Sequence, residues 1–172
     1  MEKTKSWFVE KELNWLYSWN NRHPSIIAFF RMITHLGGAF CTIALTILLI
    51  LIGNGSLRET AVIAALSLTG SHIAAAFIKK MVRRIRPYMQ LSQVSMHIPP
   101  LKDHSFPSGH STAIFSVATP FMIVYPITAP ILFPAASLVA VSRVALGVHY
   151  PSDVACGSAL GILFSILFLF LL

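Results

Sequence analysis

Five apolar runs follow one another along this chain, and each is parted from the next by a short stretch of Gly, Pro or charged residues. The first reaches from Leu36 to Ile52 and ends at Gly53-Asn54-Gly55-Ser56, a tight-loop sequence. The second runs from Leu57 to Ile78, the third from His110 to Tyr125 with a kink expected at Pro120, the fourth from Ile131 to Val144 and the fifth from Pro151 to Leu172. A helix needs roughly 20 apolar residues to cross a bilayer. The pattern therefore predicts an all-α fold, an integral membrane helical bundle of about five transmembrane helices.

The chain begins differently. Residues 1–23 mix charges with Trp7, Phe8, Leu13, Trp15, Leu16, Tyr17 and Trp19. That is too polar to span and too aromatic to stay in water, and it predicts an amphipathic helix lying in the membrane interface. Pro24 opens a second helical stretch through Phe29, Phe30 and Met32, broken by Arg31 and His35 and expected to lie obliquely before the first span. On this reading residues 1–35 form an interfacial segment and residues 36–172 the membrane-embedded domain.

Composition narrows the class. The chain is 55% hydrophobic and 11% charged with a mean hydropathy of +0.71, which excludes a soluble domain of this length. A net charge of +7 would suggest nucleic acid in a soluble protein, but here the basic residues cluster between apolar runs. The expected partners are the bilayer and a phosphate-bearing lipid, with no nucleic acid. Cys41 and Cys156 fall inside apolar runs without zinc-like spacing and read as small core residues. No short apolar core followed by small residues marks a cleavable signal peptide, so targeting is expected from the spans themselves.

Laid end to end, the spans bring the end of the second, the start of the third, the end of the fourth and the start of the fifth to one face. Lys79, Arg86, His110, Arg143, His149 and Asp153 therefore meet at one membrane surface. Charge at such depth is costly, and its convergence points to function.

The residue types suggest a chemistry. Phe106-Pro107-Ser108-Gly109-His110 reads as a helix start, with Ser108 as a cap and Gly109 letting the main chain approach a ligand. The first N–H groups of such a helix suit a bound phosphate, with His110 beside it, although caps of this composition are common. His149 and Asp153 are four apart and would share a face if a helix begins near His149. Asp153 would then accept the Nδ1 proton and leave Nε2 as a directed nucleophile, while a plain surface contact fits the same spacing. Lys79, Arg86 and Arg143 suit the equatorial oxygens of a phosphoryl group in transfer. Lys80, Arg83 and Arg84 read as lipid head-group anchors, and His72 as a packed histidine.

These residues resemble the type 2 phosphatidic acid phosphatase family, which shares its site with vanadium haloperoxidases and bacterial acid phosphatases. Lys79 and Arg86-Pro87 match its first motif, Pro107 to His110 its second, and Ser142, Arg143, His149 and Asp153 its third. The resemblance implies that His149 attacks phosphorus to form a phosphohistidine and that Asp153 orients it. His110 would protonate the leaving oxygen and later activate water, while Lys79, Arg86, Ser108, Gly109 and Arg143 would hold the phosphate. No metal or other cofactor is implied. Many relatives begin with a full span, and residues 1–23 depart from that pattern.

The leading expectation is a lipid phosphatase acting on phosphatidic acid, phosphatidylglycerophosphate or undecaprenyl pyrophosphate. A lipid phosphotransferase using the same histidine and a non-catalytic lipid-phosphate binding protein are the alternatives. Tyr88, His97, Lys102 and His104 are candidates for head-group selection, or ordinary loop residues. The resemblance implies a multi-pass protein of the cell membrane with its site facing out of the cytoplasm. Arg58 is the only basic residue expected on the opposite face, so the positive-inside rule argues the other way.

Overall fold

The computed structural model describes residues 2–172, with side chains from residue 7 onward, and every regular element among them is helical. Met1, which the sequence placed in the interfacial segment, lies outside the described residues. Helix α1 covers Glu2–Asn20, α2 Pro24–Ile33, α3 Ala39–Ile52 and α4 Ser56–Val82. After the single turn α5, Pro87–Gln90, come α6, Gly109–Val124, α7, Ala129–Ala145, and α8, Pro151–Leu171.

Three stretches, Ser56–Gln90, Pro126–Ala145 and Pro151–Leu171, are long and apolar enough to cross a membrane. The first expected span is not one straight helix. A 3-10 turn at Thr34–Gly37 and extended Gly38 split it, and the halves Pro24–Gly37 and Ala39–Ile52 meet at 46° as a broken span. The oblique stretch foreseen from Pro24 is thus its first half.

Helix α6 has 16 residues, about 24 Å, and falls short of the roughly 30 Å hydrocarbon core. It lies inside the bundle, where Ser111, Thr112, Ala113 and Phe115 to Pro120 are all buried against α4, α7 and α8. Small residues permit this. A Cβ placed on Gly157 would come within 2.5 Å of the Ser108 carbonyl oxygen, so α8 can approach the start of α6 only with glycine there. Ser71 Oγ pairs with Ser116 Oγ at 2.8 Å, and Ser165 Oγ donates to the Ser116 carbonyl at 3.1 Å.

The large apolar side chains point outward: Phe40, Ile73, Phe77, Ile131 and Phe170 are exposed where lipid tails would lie. The cysteines join them. Cys41 is half-buried and Cys156 exposed, which corrects the reading of both as core residues. In a bilayer an apolar position needs no protein neighbour, so apolar sequence context does not distinguish core from lipid contact.

The ends of α4 and α7 and the starts of α6 and α8 converge, and the segment 83–108 arches over them. Helix α4 ends at Val82, earlier than Pro87 suggested, because Arg83 takes a left-handed cap with φ 49°. Asn20 at the end of α1 fastens this roof. Its side-chain oxygen accepts from Ser95 N at 2.8 Å, and its amide donates to the carbonyls of Ser95 at 2.8 Å and Ala145 at 3.0 Å. Beside it Gly147 has φ 76°, and a Cβ there would lie 2.4 Å from the Ser95 oxygen. Gly147→Ala is therefore expected to cost about 1–3 kcal/mol through strain and collision, read as a lowered thermal midpoint in detergent.

Candidate active site

The site begins with how α8 starts. Pro151 occupies its first position and Asp153 its third, where Asp153 Oδ2 accepts from the Tyr150 backbone N–H at 2.8 Å. His149 therefore precedes the helix and does not share a helical face with Asp153, as the spacing had suggested. Capping brings them together instead, with His149 Nδ1 3.6 Å from Asp153 Oδ2. That is an ion-pair distance, too long for a direct hydrogen bond. Ser105 Oγ fills the corner, donating to Asp153 Oδ2 and lying 3.5 Å from His149 Nδ1.

The strongest charged partner of Asp153 is Arg84, which corrects its assignment to lipid head groups. Arg84 Nη1 donates to Asp153 Oδ1 at 2.7 Å and to Ser152 Oγ at 2.6 Å. Its Nη2 donates to Glu12 Oε2 on α1 at 2.9 Å, and its guanidinium sits 3.8 Å from the centre of the Tyr150 ring. Glu12 in turn accepts from the Ser152 N–H at 3.0 Å. Asp153 is fully buried, and a bare carboxylate could not stay ionised there without such company.

His149 is also buried, and its backbone N–H donates to the Arg143 carbonyl at 3.2 Å. Burial pushes its pKa down to about 4, the Asp153 contact opposing and the Arg143 and Arg86 charges assisting. The imidazole is thus neutral near pH 7. Nε2 faces Arg86 Nη1 at 3.3 Å, which assigns the proton to Nδ1 and leaves the Nε2 lone pair toward the cations.

Those cations are deeply placed. Arg86 and Arg143 are 2% and 1% exposed, too little for a role in bulk water. Arg143 Nη1 donates to Thr34 Oγ1 at 2.7 Å, while its buried Nε has no hydrogen-bond partner among the described residues. Arg86 Nη1 donates to the Val148 carbonyl at 2.8 Å. Asp103 bridges Arg86 Nη2 at 2.6 Å and Lys79 Nζ at 2.5 Å. Burial alone would raise the Asp103 pKa, but Lys79 and Arg86 outweigh it and hold it at about 2.

At the start of α6, Ser108 is the N-cap, its Oγ accepting from Ser111 Oγ at 3.0 Å and its N–H donating to the Asp153 carbonyl at 3.0 Å. A Cβ on Gly109 would meet no protein atom within 4 Å, so open space lies beside the start of α6. His110 follows, within electrostatic reach of Arg143, His149, Lys79 and His35. A Cβ on Gly38 would come 3.8 Å from its Nε2. All eight residues singled out from the sequence thus lie in one region.

Other candidates have different employment. The Tyr88 hydroxyl donates to the Leu101 carbonyl at 3.2 Å, and His97 Nε2 lies 3.3 Å from the Asn20 carbonyl, so both tie loops together. Lys102 and His104 are exposed on the roof. His72 Nδ1 bonds to the Leu68 carbonyl at 2.9 Å on its own helix, as a packed histidine should. Among the described residues no group of three or more His, Cys, Asp or Glu side chains is placed to hold a metal ion.

Sequence reasoning missed Glu12, Arg84, Asp103 and Ser105. A signal existed: the chain has only six Asp and Glu, and three of them, Glu12, Asp103 and Asp153, stand here.

The model of the PAP2 superfamily matches residues 60–171, a stretch that takes in Lys79 to Asp153. Decaprenylphosphoryl-5-phosphoribose phosphatase of Mycobacterium tuberculosis is 33% identical over 138 residues, 80% of this chain and 76% of that protein. The crystal structure of Aquifex aeolicus LpxE superposes with a TM-score of 0.82 at 31% identity, covering 91% of this chain and 93% of that one. A transmembrane PAP2-type phosphatidylglycerolphosphate phosphatase from Bacillus subtilis shares the fold, with a TM-score of 0.76 at 23% identity over 94% of this chain and 84% of that one.

Arg84→Met should lower both the thermal midpoint and the turnover of phosphate, because Asp153 would keep a buried charge with its main partner gone, a change costing about 3–5 kcal/mol in buried pairs. Lys80→Gln, four residues away and exposed, should change neither.

Proposed function

The chain belongs to the PAP2 superfamily and is a multi-pass membrane phosphatase; on that footing, we propose that it hydrolyses a lipid phosphate or pyrophosphate through a phosphohistidine on His149. One observation carries this reading: a neutral buried imidazole directs its lone pair at the buried Arg86 guanidinium, and the buried Arg143 of the same region keeps an unpartnered N–H. Such donors, fixed in advance, stabilise charge as it develops on phosphoryl oxygens.

In the first step the His149 Nε2 lone pair forms a bond to phosphorus and the bond to the leaving oxygen breaks. His110 gives that oxygen its proton. The Nδ1 proton stays between His149, Asp153 and Ser105, balancing the charge of the phosphorylated ring. In the second step water attacks the same phosphorus, His110 takes its proton and the N–P bond breaks. Arg86, Arg143 and Lys79, with the N–H groups at the start of α6, hold the three equatorial oxygens throughout.

The leaving group is the lipid. His110 stands next to Gly38, and beyond Gly38 an apolar groove runs between α3 and α4, lined by Ala39, Thr42, Ile43, Leu68, Thr69 and His72. A tail entering from the bilayer along this groove would bring its phosphate oxygen to the general acid. The decaprenyl lipid named for the mycobacterial relative supports a long polyprenyl tail as the first class to test. The reading also places the site outside the cytoplasm at the cell membrane.

Purified protein in detergent is expected to release phosphate with EDTA present from at least one of a polyprenyl pyrophosphate, phosphatidylglycerophosphate and phosphatidic acid. His149→Ala should reduce that release at least about a thousandfold. Unchanged release in this variant would end the phosphohistidine reading.

A second expectation follows from the imidazole. Protonated His149 has no lone pair to offer, so kcat/KM should fall as pH drops toward about 4, with the slope of one proton. A profile flat down to pH 4 contradicts the proposed nucleophile.

For sidedness, a cysteine at exposed Ser95 should react with an impermeant maleimide in intact cells. Labelling only after lysis turns the site inward.

A further inference from the structure

Arg86 raises a problem of supply. A guanidinium has five N–H donors. Here Nε is directed to the Asp103 carbonyl at 2.8 Å, and Nη1 to the Val148 carbonyl at 2.8 Å and His149 Nε2 at 3.3 Å. Nη2 is directed to Asp103 Oδ1 at 2.6 Å and to the His104 carbonyl at 3.3 Å. All five face protein acceptors. Lys79 Nζ gives one of its three N–H donors to Asp103 Oδ2. Of the three cations, only Arg143 keeps a buried donor without a partner. A phosphate that uses Arg86 must therefore replace something, and one that uses Lys79 must share it with Asp103.

The acceptors differ in how readily they can give way. Val148 is fully buried and its carbonyl is fixed by the backbone, and His149 is the proposed nucleophile. Asp103 is 55% exposed and sits on the roof segment between exposed Lys102 and His104. Its carboxylate is also the one acceptor that carries the same sign as the incoming phosphate. Two anions sharing Lys79 and Arg86 at a few ångströms would repel each other. The pKa near 2 keeps this charge in place at any ordinary pH.

Resting on the reading of Lys79 and Arg86 as phosphate ligands, we propose that Asp103 is an internal ligand of the phosphate site, holding these two cations between turnovers and yielding them when phosphate binds. The arrangement offsets part of the positive charge of the empty site. It also makes the carboxylate a local competitor of the product: when Asp103 swings back, orthophosphate loses two of its donors and leaves. Ligands with a single weak charge would not displace it, so Asp103 sets a threshold of charge for entry.

The test is orthophosphate binding to the full-length protein in detergent, followed by titration calorimetry, for wild type, Asp103→Asn, Asp103→Ala and Arg143→Gln. Asp103→Asn and Asp103→Ala should each bind orthophosphate about tenfold tighter than wild type. Binding that appears in these variants and is too weak to register in wild type supports the same conclusion. Equal or weaker binding in both variants, with Arg143→Gln still abolishing it, overturns the internal-ligand role and leaves the phosphate site standing; Asp103 would then orient Lys79 and Arg86. Orthophosphate binding that ignores Arg143→Gln, or is absent from every protein, overturns the site reading and this inference with it. Asp103 is exposed on a loop, and unchanged thermal midpoints of its two variants check that only the contact was altered.

Discussion

The carboxylate of Asp153 is the fixed point of the site. It is fully buried at the start of α8, and four groups from different parts of the chain converge on it: the Tyr150 N–H, Ser105, Arg84 and, at longer range, His149. A buried carboxylate is tolerable only when its oxygens are satisfied, so each contact is a condition for the others. Arg84 depends in turn on Glu12, and the neutral state of His149 depends on the surrounding burial and cations. Chemistry and folding stability share the same bonds here.

The helices serve this point by their packing. Helix α6 carries Ser108, Gly109 and His110 at its start, and it can reach the convergence of α4, α7 and α8 because it is short and surrounded by small residues. A longer helix would need lipid on one side. The break between α2 and α3 does related work: it bends the chain inward at Gly37 and Gly38, bringing Thr34 to Arg143 and leaving room beside His110. Irregular backbone within a bilayer survives where protein covers it, and this break lies against α6 and α7.

The helical bundle and the convergence of Lys79, Arg86, His110, Arg143, His149 and Asp153 were legible from the alternation of apolar runs and charge, because span direction alone determines which ends meet. What escaped was everything set by side-chain direction in irregular segments. The spacing of His149 and Asp153 suggested a helical pair, yet Pro151 starts the helix after His149 and turns the pair into a capping contact. Arg84 belongs to the same basic run as Lys80 and Arg83, and only the left-handed turn at Arg83 swings it inward. Glu12 lies 141 positions from Asp153 in a segment that reads as a surface anchor, and no local periodicity connects them. Apolar context likewise could not tell Cys156 facing lipid from a cysteine facing protein.

The pairing of Glu12 with Arg84 also changes what the amino-terminal helix is. A chain shortened to begin at Pro24 would retain every residue of the three motifs and all the long apolar helices. It would lack the carboxylate that steadies the Arg84 guanidinium and the Asn20 amide that joins the roof to the end of α7. The boundary of the enzyme therefore falls outside the boundary of its spans: helix α1, ahead of the first of them, contributes walls to a chamber whose floor lies among the buried ones.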